Sequence, residues 1–150
     1  MSDLRELYQE VILDHAKHPR NFHAMPDSVP AADGHNPLCG DRLKVFVQVE
    51  DGVIRDISFT GSGCAISTAS ASMMTEALKG KSLLEEEAIF KSFHNLLTTG
   101  SHATEDEELL GKLEVFGGVR EFPVRVKCAT LAWHTLQAAL KGSAEPVKTE

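Results

Sequence analysis

Residues 43–60 read LKVFVQVEDGVIRDISFT, and residues 61–80 continue GSGCAISTASASMMTEALKG. Leu43, Val45, Val47 and Val49 take every second position, Asp51-Gly52 supplies a tight turn, and Val53, Ile57 and Phe59 resume the alternation. That pattern predicts a β-hairpin with one face on a core. After Gly61-Ser62-Gly63 the period lengthens. Ile66, Ala69, Met73 and Ala77 mark a helical stripe over 65–79, closed by Gly80. Small residues crowd its first two turns (Ala65, Ser67, Thr68, Ala69, Ser70, Ala71, Ser72), which lets another backbone approach closely. Met73 and Met74 read as core filling.

On the amino-terminal side, Leu4, Leu7, Tyr8, Val11 and Ile12 fall at helical spacing and predict a helix over 3–18. Pro19 ends it, since the residue before a proline is pushed away from helical dihedrals. Residues 19–38 hold four prolines and Gly34 and read as a loop with room for one short strand. On the carboxyl-terminal side, Ser82 with Glu85 forms a capping-box pattern opening a helix over 83–97. Thr104 with Glu107 repeats the pattern ahead of a short acidic helix. Val126, Ala129, Trp133, Leu136 and Leu140 stripe a last helix that starts between Pro123 and Lys127 and stops near Gly142. Together these elements predict an α+β fold: a small antiparallel sheet of about three strands with helices packed on one face. A single domain spans 1–150, and 143–150 reads as a frayed tail.

The chain carries 15 Lys+Arg against 22 Asp+Glu, a net charge of −7, which argues against nucleic acid as a partner. No apolar run approaches the ~20 residues that span a bilayer, and MSDLRELYQE is charged and amphipathic rather than a signal peptide. The expectation is a cytoplasmic protein with no membrane partner. Three cysteines, at 39, 64 and 128, make a poor disulfide framework. In a reducing compartment they stay free, bind metal or do chemistry.

Around each cysteine a functional reading stands beside a plain one. In Asn36-Pro37-Leu38-Cys39-Gly40-Asp41, Gly40 frees the backbone so that thiol and carboxylate can face one centre; alternatively Asp41 only caps the turn. Cys64 lies between Gly-Ser-Gly and a helix, where unpaired N–H groups favour thiolate; alternatively it is a small buried residue at a tight corner. Cys128 has Arg120, Arg125 and Lys127 nearby in sequence, and cations favour thiolate; alternatively it packs with Leu131. Taken together, three thiolates and one carboxylate form a complete tetrahedral set for zinc, and they also suit an iron–sulfur cluster with one labile corner. Of the histidines, His15 and His18 read as surface or packing residues, and His94, His102 and His134 have no partner at ligand spacing. Glu85-Glu86-Glu87 and residues 105–108 read as solvated faces.

Four segments in order carry a family resemblance: LYQEVILDHAKHPRN (7–21), NPLCGDRL (36–43), FTGSGCAISTASASMMTEALKGKS (59–82) and GVREFPVRVKCATLAW (118–133). Over roughly residues 4–141 the chain resembles the IscU/NifU-type iron–sulfur cluster assembly proteins, and within them the SufU branch. IscU-type members have histidine immediately before the third cysteine, where this chain has Lys127. They also have a shorter stretch between the second and third cysteines, and the extra length here falls around residues 94–110.

The resemblance implies a SufE/IscU-like fold and one zinc ion on Cys39, Asp41, Cys64 and Cys128. It implies that Cys39 accepts persulfide sulfur from the cysteine desulfurase SufS, and that this zinc-dependent sulfurtransferase relays it to the SufBCD complex. Docking on SufS would release Cys39 from the metal. Arg125 is the candidate cation steering that thiol. The alternatives are a scaffold that assembles and transfers a [2Fe–2S] cluster, with the cluster replacing zinc, and a structural zinc protein that activates the desulfurase without accepting sulfur.

Overall fold

In the computed structural model, which describes residues 2–37, 39–99, 109–142 and 147–148, the alternating residues of 43–60 do pair as a hairpin. Strands β2 (Asp41–Glu50) and β3 (Val53–Ser62) are antiparallel, with Val45 opposite Phe59 and Val47 opposite Ile57. All four side chains are buried. Asp51 and Gly52 take φ of 54° and 74°, the left-handed pair that a two-residue hairpin turn requires. The loop before the hairpin contains β1 (Ala31–Asn36), antiparallel to β2. A second, longer connection, which carries Cys39 and Gly40, joins β1 to β2 at the opposite end of β2 from Asp51-Gly52.

Helix α1 (Ser2–Lys17) packs on α2 (Ala65–Leu78), while α3 (Leu83–Thr98) follows Ser82, whose capping box with Glu85 is formed. Pro123 opens the last helix, α4 (Pro123–Lys141), at its first turn, and left-handed Gly142 closes it. α4 lies across β1 and β2, and α2 lies against β3. The core is filled by Trp133, Phe59, Phe93, Phe116, Ile54, Ile57 and Met74, with Trp133 stacked on Phe93 at 4.6 Å between ring centroids.

The small residues of α2 serve close approach, as their size implies. Ser70 Oγ donates to the Ala129 carbonyl of α4 at 2.5 Å and accepts from Trp133 Nε1 at 3.1 Å. Ser72 Oγ meets His15 Nδ1 at 2.8 Å and accepts from the Arg20 amide at 2.8 Å. His15 is thus a packing residue, and it is buried.

Three features depart from the sequence reading. Glu86 is buried, not solvated: Gln137 Nε2 of α4 donates to its Oε2 at 2.5 Å, and burial pushes its carboxyl up. Val147–Lys148 of the tail form a two-residue strand, β4, parallel to β1 at Gly34 and His35, so the sheet order is β3-β2-β1-β4. Between α3 and α4, Gly111–Glu121 winds as 3₁₀ turns. Leu110, Leu113, Phe116 and Val119 are buried there at every third residue, the spacing at which 3₁₀ side chains eclipse. The second capping box, Thr104 with Glu107, and His102 fall outside the described residues, as does the side chain of Arg120.

Candidate metal centre

Three separate pieces of chain meet at one corner of the sheet. The β1–β2 connection contributes Cys39 and Asp41, the β3-to-α2 corner contributes Cys64, and the second turn of α4 contributes Cys128. Cys39 is placed by a turn in which its amide donates to the Asn36 carbonyl at 3.3 Å. The next residue, Gly40, has φ of 72°, a conformation that a side chain would oppose. That reversal lets Asp41 start β2 with its side chain on the same side as the Cys39 sulfur.

Ligand atoms of Cys39, Asp41 and Cys128 all lie within 4.8 Å of one another. The Cys39 and Cys128 sulfurs are 3.1 Å apart, far beyond the ~2.05 Å of a disulfide, and all three cysteines are free thiols. Cys64 stands at the edge of this group. Its sulfur is 4.0 Å from Asp41 Oδ2, and its amide donates to Asp41 Oδ1 at 2.8 Å. Cys64 also caps α2, its sulfur accepting from the Ser67 amide at 3.4 Å. One oxygen of Asp41 is therefore held by the backbone while the other faces the sulfurs. Space for the carboxylate comes from Gly63, where a Cβ would stand 2.6 Å from Asp41 Oδ1.

Burial divides the donors. Asp41 and Cys128 are fully buried; Cys39 and Cys64 are half-buried. Of the two readings of Cys128, a cation-favoured thiolate or a packed thiol, its burial favours the packed thiol in the absence of metal. Burial, followed by the crowding of Cys39, Cys64 and Asp41, pushes the Cys128 thiol up. Arg125 is exposed on the first turn of α4, one turn before Cys128. A divalent cation would offset the cost of burial, because thiolate-rich sites deprotonate on binding metal. Two sulfurs and a carboxylate within 4.8 Å, with one carboxylate oxygen already oriented by a hydrogen bond, fit a divalent metal such as zinc.

Sequence reasoning missed one polar contact at this corner. The buried side chain of Asn36, at the end of β1, donates from Nδ2 to Cys128 Sγ at 3.5 Å. A polar residue ending a strand just before the Cys-Gly-Asp turn was the available signal. Elsewhere, His94 and His134 pack edge to face at 5.8 Å and share contacts with Phe90. Burial, then the proximity of His94, holds the His134 imidazole below its usual value.

Comparison with known proteins places this corner in context. Residues 7–129 match the family model of the NifU-like N-terminal domain. The iron–sulfur cluster assembly scaffold protein IscU of Streptococcus pyogenes serotype M1 is 43% identical over 144 residues, 96% of this chain and 89% of that one. The zinc-dependent sulfurtransferase SufU of Bacillus subtilis is 41% identical over 136 residues, 91% of this chain and 90% of that one. A crystal structure described as a SUF-system iron–sulfur cluster assembly scaffold protein, from Fervidobacterium islandicum AW-1, superposes with a TM-score of 0.80 at 36% identity. It covers 87% of this chain and 94% of the other. The two kinds of name, scaffold and sulfurtransferase, occur at nearly equal identity.

Proposed function

The chain belongs to the NifU-like N-terminal domain family, in which its relatives are iron–sulfur cluster assembly proteins of the IscU/SufU type, and on that premise we propose that it is a zinc-dependent sulfurtransferase. It accepts persulfide sulfur on Cys39 from the cysteine desulfurase SufS and hands it to the SufBCD assembly complex in the cytoplasm. The observation that carries this reading is a pair of unequal thiols: half-buried Cys39 on a turn, 3.1 Å from fully buried Cys128 and beside Asp41. One sulfur is placed to meet a partner while its neighbour stays behind.

Cys39, Asp41, Cys64 and Cys128 would hold one zinc ion, which keeps their sulfurs deprotonated at neutral pH. In the transfer, the Cys39 thiolate attacks the outer sulfur of the desulfurase persulfide. One S–S bond forms to Cys39, the S–S bond on the desulfurase breaks, and its cysteine leaves as thiolate. No redox partner is needed, because one persulfide replaces another. Arg125, exposed one turn before Cys128, steers the anionic sulfur toward the site.

A scaffold assembling a [2Fe–2S] cluster is the second reading, and the names of the IscU relatives favour it. Lys127 counts against it, since IscU-type proteins carry histidine there. The deciding experiment is mass spectrometry after turnover with SufS and cysteine. The expected product is one extra sulfur on Cys39, about one zinc per chain, and desulfurase stimulation that disappears in Cys39→Ala. Full stimulation by Cys39→Ala would overturn the relay and leave a zinc-bound allosteric activator. A stable cluster after anaerobic reconstitution, transferable to an apo-ferredoxin, would establish the scaffold instead.

A further inference from the structure

The two closest sulfurs of the centre differ in more than exposure. Cys128 is fully buried, so solvent cannot donate hydrogen bonds to its sulfur. Asn36 Nδ2, 92 residues away in sequence, donates to it at 3.5 Å, a normal length for N–H···S contact. The fold works to put Asn36 there. Two residues earlier on the same face of β1, Gly34 lies directly beneath α4: a Cβ on it would stand 2.0 Å from Thr135 Oγ1 and 3.1 Å from Leu131 Cδ1. Leu131 and Thr135 are one and two turns beyond Cys128 on α4. The glycine therefore lets strand and helix close together, and Asn36 reaches the sulfur. The Asn36 carbonyl meanwhile accepts from the Cys39 amide, so one residue touches the surroundings of both thiols in different ways. Its side chain donates to the sulfur of Cys128, and its backbone carbonyl accepts from the turn that carries Cys39.

We propose that Asn36 is a positioning residue that fixes Cys128 as the permanent sulfur of the centre and so leaves Cys39 as the one that departs to accept persulfide. The proposal rests on the sulfurtransferase reading. A ligand sulfur that receives an N–H hydrogen bond is oriented and held, and removal of such outer partners typically costs 10- to 100-fold in metal affinity. Without the bond, Cys128 and Cys39 become competitors for release and for sulfur.

The test compares wild type, Asn36→Ala and Asn36→Asp; aspartate keeps the shape and the acceptor but removes the N–H donor. Three quantities are read: zinc affinity by chelator competition, the sulfur-to-metal charge-transfer bands of the Co(II)-substituted protein, and the site of persulfide after turnover with SufS and cysteine. Zinc affinity is expected to fall about 10- to 100-fold in both variants. The charge-transfer bands shift, and persulfide appears on Cys128 as well as Cys39. Unchanged affinity, unchanged bands and persulfide confined to Cys39 in either folded variant would overturn the proposal. If both variants fail to fold, the wild-type zinc protein still decides: the Asn36 side-chain amide protons must be protected from solvent exchange, and free exchange overturns the idea. Wild type that binds no zinc or gains no persulfide would instead remove the reading on which the proposal stands.

Discussion

Halfway along α2, Ser70, Ser72 and Thr75 each meet a defined partner: the Ala129 carbonyl, the His15 ring, the Ser72 carbonyl. At the amino-terminal end of the same helix, Cys64 faces a carboxylate and two more sulfurs across distances of up to several ångströms. Both places bury polar atoms at a junction of three elements. In the middle, donors match acceptors and the junction is complete as it stands. At the end, the ionisable groups gathered, Cys39, Asp41, Cys64 and Cys128, all become negative on ionising, and the Asn36 side chain that donates to Cys128 is neutral. The contrast teaches where to look: a closed polar network holds helices together, and an unbalanced one waits for an ion.

The largest effect should come from breaking the closed junction. Trp133 is fully buried, stacks on Phe93 and donates to Ser70. Trp133→Ala is expected to cost about 3–5 kcal/mol in a urea melt, the range for deleting a large buried aromatic. Its zinc affinity, measured where the variant is still folded, should stay within a few-fold of wild type. A loss of zinc equal to the loss of stability would mean that the two ends of α2 are one unit.

The converse change acts at the open end. Gly63→Ala places a Cβ at 2.6 Å from Asp41 Oδ1, tighter than any real contact, so the carboxylate must shift. Zinc affinity should fall by about 10- to 100-fold, read by chelator competition, while the melt of the zinc-free protein moves by less than about 1 kcal/mol. A large stability loss with intact zinc binding would reverse the assignment of the two ends.

The same division explains how much the sequence revealed. The hairpin was legible because alternation and Asp51-Gly52 are local signals, and the capping box of Ser82 and Glu85 is local as well. Cys39, Asp41, Cys64 and Cys128 could be grouped by their donor chemistry and by flanking segments that resemble a family; spacing of 25 and 64 residues between cysteines encodes no geometry by itself. Glu86 was misread since a run of three glutamates looks solvated until Gln137, 51 residues on, is seen beneath it. The 3₁₀ turns hid behind a three-residue stripe, Leu110 to Val119, that a search for a 3.6-residue period passes over. Asn36 escaped because its partner is a sulfur on the far side of the chain.

The smallest effect separates the two ends by pH. His15, at the closed junction, is held below its usual value of 6.5 mainly by burial. Arg20 and Lys112 push it the same way, while Glu76 and Asp14 oppose them. In the folded chain the ring is therefore neutral at a pH where the unfolded chain already binds a proton. Unfolding then takes up protons, so stability is full above about pH 6.5 and declines as pH falls from there toward the depressed folded value, by up to about 1.4 kcal/mol per pH unit. His134 is shifted the same way, so His15→Gln should lessen the slope between pH 7 and 5 without abolishing it. Urea melts of wild type and variant, both with excess zinc, give the effect as a difference in slopes; proton uptake that accompanies metal release is common to both and cancels. Equal slopes would show that the ring gains its proton without strain to the junction, and that the closed network is looser than its hydrogen bonds imply.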